Sequence, residues 1–154
     1  MTVLYYFSMT YPSHLLAGLI IGKATGDYPT AIAGSMLIDL DHMVSYVRHG
    51  IWYKPRALFK VLTDENDPWG DQRNFLHNVV VWAVCSALLM FASFKFGTVF
   101  SIAWFFHLVF DAFDNADYYP FYPSKKFVIK GFVKYYSKQE IIFDLCLLAV
   151  FLIM

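Results

Sequence analysis

The sequence predicts an all-α protein, a multi-pass membrane bundle of about four to five helices forming one domain over residues 1–154, with basic, aromatic-rich cytoplasmic loops. Three observations carry that expectation. Hydrophobic residues make up 58% of the chain and charged residues 16%, with a mean hydropathy of +0.48; soluble domains average about 45–50% apolar and about 25% charged. The run 74–94 contains no Asp, Glu, Lys or Arg. As a helix rising about 1.5 Å per residue it matches the roughly 30 Å hydrocarbon layer. Period-two alternation is missing and the apolar runs are long, which argues against strands.

Each element has its own signals. Helix one is expected over 11–24, with Pro12 in its first turn and Thr10 or Ser13 near its cap. Gly26 and Asp27 make a turn, and helix two follows over 28–47 with Pro29 in its first turn. Gly18, Gly22 and Gly34, with Ala17, Ala24, Ala31 and Ala33, let helices approach closely. Helix three is the 74–94 run. Helix four covers 98–110, extended by Asp111 and Asp114, and helix five covers 141–154. No repeat, low-complexity tract or linker divides the chain.

Charge sets the expected orientation. Arg48, Lys54, Arg56, Lys60 and Arg73 lie between helices two and three; Lys125, Lys126, Lys130, Lys134 and Lys138 lie between helices four and five. An up-down bundle puts these ten of the twelve basic residues on one side, opposite Lys23 and Lys95. The positive-inside rule makes that side cytoplasmic, and Asp64, Glu65, Asp67 and Asp71 on it count for little. A formal net charge of zero argues against nucleic acid as a partner. Cys85 and Cys146, each inside an apolar run, form no Cys-x-x-Cys pair, which leaves them as inert buried thiols. The first basic residue is Lys23, so a cleavable leader is not expected and helix one is expected to stay.

The chemistry lies in four of the five histidines, each at the end of an apolar segment beside an acid or an arginine. His14 opens helix one, Asp39-Leu40-Asp41-His42 sits near the end of helix two, Arg73 and His77 open helix three, and His107 with Asp111 closes helix four. In an antiparallel bundle all four clusters reach the same face. Asp39 and His42 are three apart and share a helix face. Asp41 points elsewhere, either to ligate or to orient a histidine. His107 and Asp111, four apart, can offer two ligands from one helix. Arg73 would bind a phosphate or neutralise carboxylates, unless it is an interfacial arginine reaching for water. The bland alternatives are a helix end at the lipid–water boundary and a histidine bonded to a neighbouring aspartate.

Magnitude separates these readings. An Asp at the centre of a membrane helix costs about 2.5–3.5 kcal/mol, so Asp39, Asp41 and Asp111 cost up to roughly 8–10 kcal/mol together. A structural zinc contributes about 10–16 kcal/mol, enough to offset that. The expected ligands are His14, Asp39, His42, His77, His107 and Asp111, for a divalent metal, first zinc, then manganese or iron. These exceed the needs of one tetrahedral ion, so either two metals bind or some of these residues only support the ligands.

Two basic stretches also carry aromatics. Trp52, Tyr53 and Phe59 interleave with Lys54, Arg56 and Lys60, and Lys126, Lys130, Lys134 and Lys138 recur opposite Val128, Phe132 and Tyr135. The second suits an amphipathic helix on anionic lipid, with membrane lipids as partners, or equally a topology-setting loop.

Ser13-His14-Leu15-Leu16-Ala17-Gly18, Ala33-Gly34-Ser35-Met36-Leu37-Ile38-Asp39-Leu40-Asp41-His42, Arg73-Asn74-Phe75-Leu76-His77-Asn78, His107-Leu108-Val109-Phe110-Asp111 and Tyr122-Pro123-Ser124-Lys125-Lys126-Phe127 occur in series. In this order they resemble the YdjM-type family of membrane-bound metal-dependent hydrolases. Where members commonly have His-Arg-x-x-x-His-Ser, this chain has Gln72, Arg73, His77 and Asn78; Ile38-Asp39 stands where Pro-Asp is usual. The resemblance implies a metal site in the inner membrane and hydrolase activity. Facing the cytoplasm, that site would act on a lipid or lipid-linked ester or phosphoester through a metal-activated water. Asp41 or Asp111 would take the water's proton and Arg73 would hold the substrate's phosphate or carboxylate. The rival expectation is a non-catalytic metal-binding or metal-transport membrane protein. Substrate, metal number and oligomeric state are not legible in the sequence.

Overall fold

The computed structural model describes residues 10–62, 69, 73–134 and 137–154. Gln72, Asp64, Glu65, Asp67, Asp71 and Tyr135 lie outside them, as does the side chain of Thr10. The described chain is all-helical, with two isolated backbone bridges and no strand. Its elements are α1 (Thr10–Thr25), α2 (Tyr28–Met36), a 3-10 turn (Leu37–Asp39), α3 (Leu40–Arg48), α4 (Pro55–Leu62), α5 (Val79–Ala92), α6 (Phe94–Phe113) and α7 (Lys138–Ile153).

The α1–α2 turn forms as its residues dictate. Gly26 takes a positive φ of 72° just past α1, and its N–H bonds to the Gly22 carbonyl at 2.8 Å. The Asp27 carboxylate then accepts from the Thr30 amide at 3.2 Å and caps α2. The single helix expected over 28–47 is instead α2, the 3-10 turn and α3. A 3-10 segment winds about 120° per residue, so the break falls on Asp39 and re-aims the acids that follow.

The run 74–94 also differs from expectation. Its helix α5 covers Val79–Ala92, 14 residues, because the amides of Asn74 and Leu76 bond to a carboxylate and Asn78 caps α5, while Phe94 already begins α6. The Asn78 side chain accepts from the amides of Val80 and Val81 at 2.8 and 3.3 Å. The described helix long and apolar enough to cross a bilayer is α6, with 20 residues. The stretch 126–134 does not form the expected amphipathic helix. Ile129 exchanges backbone bonds with Tyr118 at 2.8 and 2.9 Å, and the Gly131 amide bonds to the Asp114 carbonyl at 2.7 Å. A side chain at Gly131 would strike the Phe113 backbone. Tertiary backbone pairing outweighs the lysine periodicity there.

Small residues bring the helices together. A Cβ at Gly34 would lie 2.5 Å from the Phe100 carbonyl, so α2 and α6 cross backbone to backbone; Gly18 does the same between α1 and α2. α7 runs parallel to α1, tied by Ser13 Oγ donating to Asp144 at 2.6 Å and Lys23 Nζ donating to the Phe151 carbonyl at 2.7 Å. The apolar core is modest: Ile21, Ala31, Val99 and Ala103 at one level, and Ile38, Trp104 and Leu108 at another. Many large apolar side chains point outward. Val80, Val84, Leu88 and Phe91 line the exposed flank of α5, and Ile141, Leu145 and Leu152 that of α7. Cys85 is half-buried and Cys146 is exposed on the outward flank of α7, rather than buried as expected. His14, His77, His107, Asp39, Asp41, Asp111 and Asp114 are buried instead. This arrangement is inverted relative to a water-soluble fold and suits an apolar solvent.

Candidate metal centre

The bundle gathers its buried polar residues at one end. His14 comes from the start of α1, Asp39 from the 3-10 turn, Asp41 and His42 from the first turn of α3, His77 from the segment before α5, and His107 and Asp111 from the last turns of α6. His14, His77 and His107 are at most 1% exposed, and Asp39, Asp41 and Asp111 at most 5%. All six ligands expected from the sequence lie in this cluster.

Hydrogen bonding fixes the protons of two rings. His107 Nδ1 lies 2.7 Å from the Ser35 carbonyl, which only accepts, so Nδ1 carries the proton. His77 Nδ1 lies 3.2 Å from Asp41 Oδ2, which already accepts the amides of Asn74 and Leu76 at 2.8 and 2.9 Å, so this Nδ1 is protonated too. In the neutral rings each Nε2 is then a bare lone pair. The two Nε2 atoms face each other at 3.2 Å, and two lone pairs at that distance repel unless a proton or a cation lies between them.

The surrounding oxygens favour the cation. His77 Nε2 is 3.2 Å from Asp111 Oδ2 and 3.9 Å from Asp39 Oδ1. His107 Nε2 is 3.5 Å from Asp111 Oδ2 and 3.6 Å from Asp39 Oδ1. A tetrahedral ion ligated at about 2.0–2.2 Å sets its ligands about 3.3–3.6 Å apart, and the separations here scatter around that range, from 3.2 to 3.9 Å. Asp39 Oδ1 and Oδ2, Asp111 Oδ2, His42 Nδ1 and both ring nitrogens of His14 are buried without a hydrogen-bond partner. Orphaned acceptors at this density are costly unless something binds them. Asp39, Asp41, Asp111 and Asp114 are buried beside one guanidinium, Arg73, leaving up to three negative charges uncompensated in the cluster.

Among the described residues, two overlapping groups could hold an ion, His14–His107–Asp111 and Asp39–His77–His107. They share His107, whose Nδ1 is committed to Ser35. The single remaining lone pair can serve one ion, so the groups describe one centre with alternative ligands. His14 stacks on His107, ring centroids 3.8 Å apart, with Nε2 3.6 Å from Asp111 Oδ1. His42 is in neither group. Its Nε2 is 3.2 Å from Asp39 Oδ1, and at 12% side-chain exposure it is the histidine of the cluster nearest the surface.

Arg73 and Asp41 each take one of the alternative roles that the sequence left open, neutralising carboxylates and orienting a histidine. Arg73 is not aimed outward at a substrate phosphate: it lies 2.5 Å from Asp114 and 3.3 Å from Asp111, buried between them. Asp41 faces the back of His77, with its Oδ2 occupied by three donors. It is placed to orient the ring rather than to take a proton from water.

Other contributors were not singled out in the sequence. The Ser35 carbonyl and the amides of Asn74 and Leu76 are backbone groups that every residue owns, so no sequence signal marks them. Tyr118, buried, donates its hydroxyl to the His77 carbonyl at 2.6 Å. Burial pushes its phenol above the ordinary range, which keeps that donor protonated. Asn78 before Val79-Val80-Val81 is a recognisable cap that would have marked the true start of α5.

An all-helical chain with an apolar exterior, a helix of bilayer length and a buried His/Asp cluster that could hold a metal ion defines a class: a membrane protein with a candidate metal centre. The YdjM inner membrane protein family model matches residues 9–154, nearly the whole sequence, and the chain belongs to that family. No curated protein and no solved structure matches it.

Proposed function

We propose that this protein is a multi-pass, membrane-bound metal-dependent hydrolase whose centre faces the cytoplasm and acts on a lipid or lipid-linked ester or phosphoester. The observation that carries the metal is the pair of opposed Nε2 lone pairs on His77 and His107, flanked by Asp39 and Asp111. An imidazole–carboxylate set favours zinc, with manganese or iron next. When bound, such an ion supplies Lewis acidity and an acidified water. His77, His107, Asp39 and Asp111 would hold it, with His14 as the alternative ligand. Asp41 and the Ser35 carbonyl fix the two ring tautomers. Arg73 neutralises Asp111 and Asp114. His42 stands where a substrate group would approach. The cytoplasmic orientation is supported by ten of the twelve basic residues lying on the centre's side of the sequence.

A second reading is favoured by a specific feature. Every residue of the two ligand groups is at most 5% exposed, and closed centres are the mark of structural rather than catalytic metals. The chain would then be a non-catalytic metal-binding or metal-transport membrane protein. The deciding experiment assays purified protein on lipid esters and phosphoesters before and after chelation. Turnover that disappears on chelation and returns with metal supports the hydrolase. A stoichiometric metal with no turnover on any lipid supports the closed centre, and activity indifferent to the metal contradicts both.

A further inference from the structure

We infer that the stretch 119–134, between α6 and α7, is a lipid-contacting strap that lies on the leaflet beside the metal centre and engages anionic phospholipid headgroups. The inference is independent of hydrolysis and needs only the membrane location.

The strap is pinned to the centre at its base. Tyr118 pairs with Ile129 through two backbone bonds, and its hydroxyl holds the His77 carbonyl. The Val79 amide donates to the Pro120 carbonyl at 2.9 Å, and Asn78 Nδ2 donates to the Tyr122 carbonyl at 2.5 Å. The strap therefore keeps a set position relative to the helix ends that carry the ligands.

Its outer surface combines two chemistries. Residues 119–134 contain four lysines, Lys125, Lys126, Lys130 and Lys134, and no acidic residue; Lys130 makes an exposed ion pair with Asp117 just before the strap, at 3.4 Å. Between them Phe127, Val128 and Phe132 are 54%, 48% and 74% exposed. In the extended run, Ile129 and Val133 turn inward to their backbone partners while Val128, Lys130, Phe132 and Lys134 alternate on the outside. An aqueous partner would leave the phenylalanines in water, and hydrocarbon alone would strand the lysines. The headgroup–acyl boundary of an anionic leaflet satisfies both. The surface is also continuous with the apolar exterior. The Phe132 ring packs 5.8 Å from Phe113 at the end of α6, and Phe113 packs 6.2 Å from Phe143 on α7.

The test uses the full chain carrying Cys85→Ala and Cys146→Ala, with a nitroxide attached through Phe127→Cys or Phe132→Cys. The protein is reconstituted into bilayers with or without phosphatidylglycerol. Power-saturation EPR compares collisions with oxygen, which concentrates in lipid, against a water-soluble nickel chelate. Both labels are expected to favour oxygen in anionic bilayers. Changing Lys125, Lys126, Lys130 and Lys134 to Gln should shift them toward nickel. Retained phosphatidylglycerol, counted by native mass spectrometry, should fall about fivefold in affinity for each lysine removed. Unchanged circular dichroism and thermal unfolding of the lysine variant in detergent show that the fold survives. Labels that collide freely with nickel in anionic bilayers overturn the inference. Labels shielded from both reagents overturn it too, since a second copy or another protein then covers the strap.

Discussion

Replacing Asp41 with Asn isolates what a carboxylate behind a ligand contributes. Asp41 Oδ2 receives the Asn74 amide at 2.8 Å, the Leu76 amide at 2.9 Å and His77 Nδ1 at 3.2 Å. Asn keeps the shape and one acceptor oxygen but removes the charge. A hydrogen bond to a charged group contributes about 1.5–3 kcal/mol and a neutral one about 0.5–1.5 kcal/mol. Three bonds therefore lose about 3–4.5 kcal/mol together. Part of that loosens the 73–78 segment and part frees the His77 ring to take the wrong tautomer. The share felt by a bound ion should be about 10–100-fold in affinity, the range for residues that orient a ligand without touching the metal. The assay is competition with a chelating dye on detergent-purified protein, beside Asp39→Asn as a ligand-loss control. Wild-type affinity in Asp41→Asn refutes the orienting role. Affinity lost as completely as in Asp39→Asn refutes it differently, by making Asp41 a ligand.

The remaining predictions address other contacts. Tyr118→Phe leaves the buried His77 carbonyl without its 2.6 Å donor and should lower unfolding stability by about 1–3 kcal/mol, read by thermal denaturation in detergent. Gly34→Ala places a methyl 2.5 Å from the Phe100 carbonyl. It should part α2 from α6, draw Ser35 away from His107, and lower both thermal stability and metal retention; overpacking of this kind costs about 1–3 kcal/mol. Acidification should release the ion, because His77 and His107 ligate only as neutral rings. Retained metal should be full near neutral pH and fall as pH drops, and retention that rises on acidification would contradict the assignment.

The ends of the helices were legible where a local signal fixes them. Gly26 and Asp27 mark the α1–α2 turn, and the spacings of Asp39 with His42 and of His107 with Asp111 show which side chains share a face. The convergence of His14, Asp39, His77, His107 and Asp111 followed from an even number of helix passes between the clusters. What the sequence hid was decided by distant partners. The amides of Asn74 and Leu76 leave the helix because Asp41, more than thirty positions earlier, offers them a carboxylate. The lysine period at 126–138 reads as a helix until Tyr118 and Asp114 supply backbone partners for Ile129 and Gly131. Arg73 reads equally as a phosphate binder or as a neutraliser of carboxylates until Asp114 is found against it. In each case a tertiary hydrogen bond or ion pair outweighs the local preference.

Metal content per chain, measured by elemental analysis of purified protein beside His42→Ala, His77→Ala and His107→Ala, tests the central claim most directly. The account predicts one divalent ion per chain in the parent protein. His77→Ala and His107→Ala should lose it, and His42→Ala should retain it. Equal metal in all four proteins, or two ions per chain in the parent, would contradict a single centre built on the His77 and His107 lone pairs.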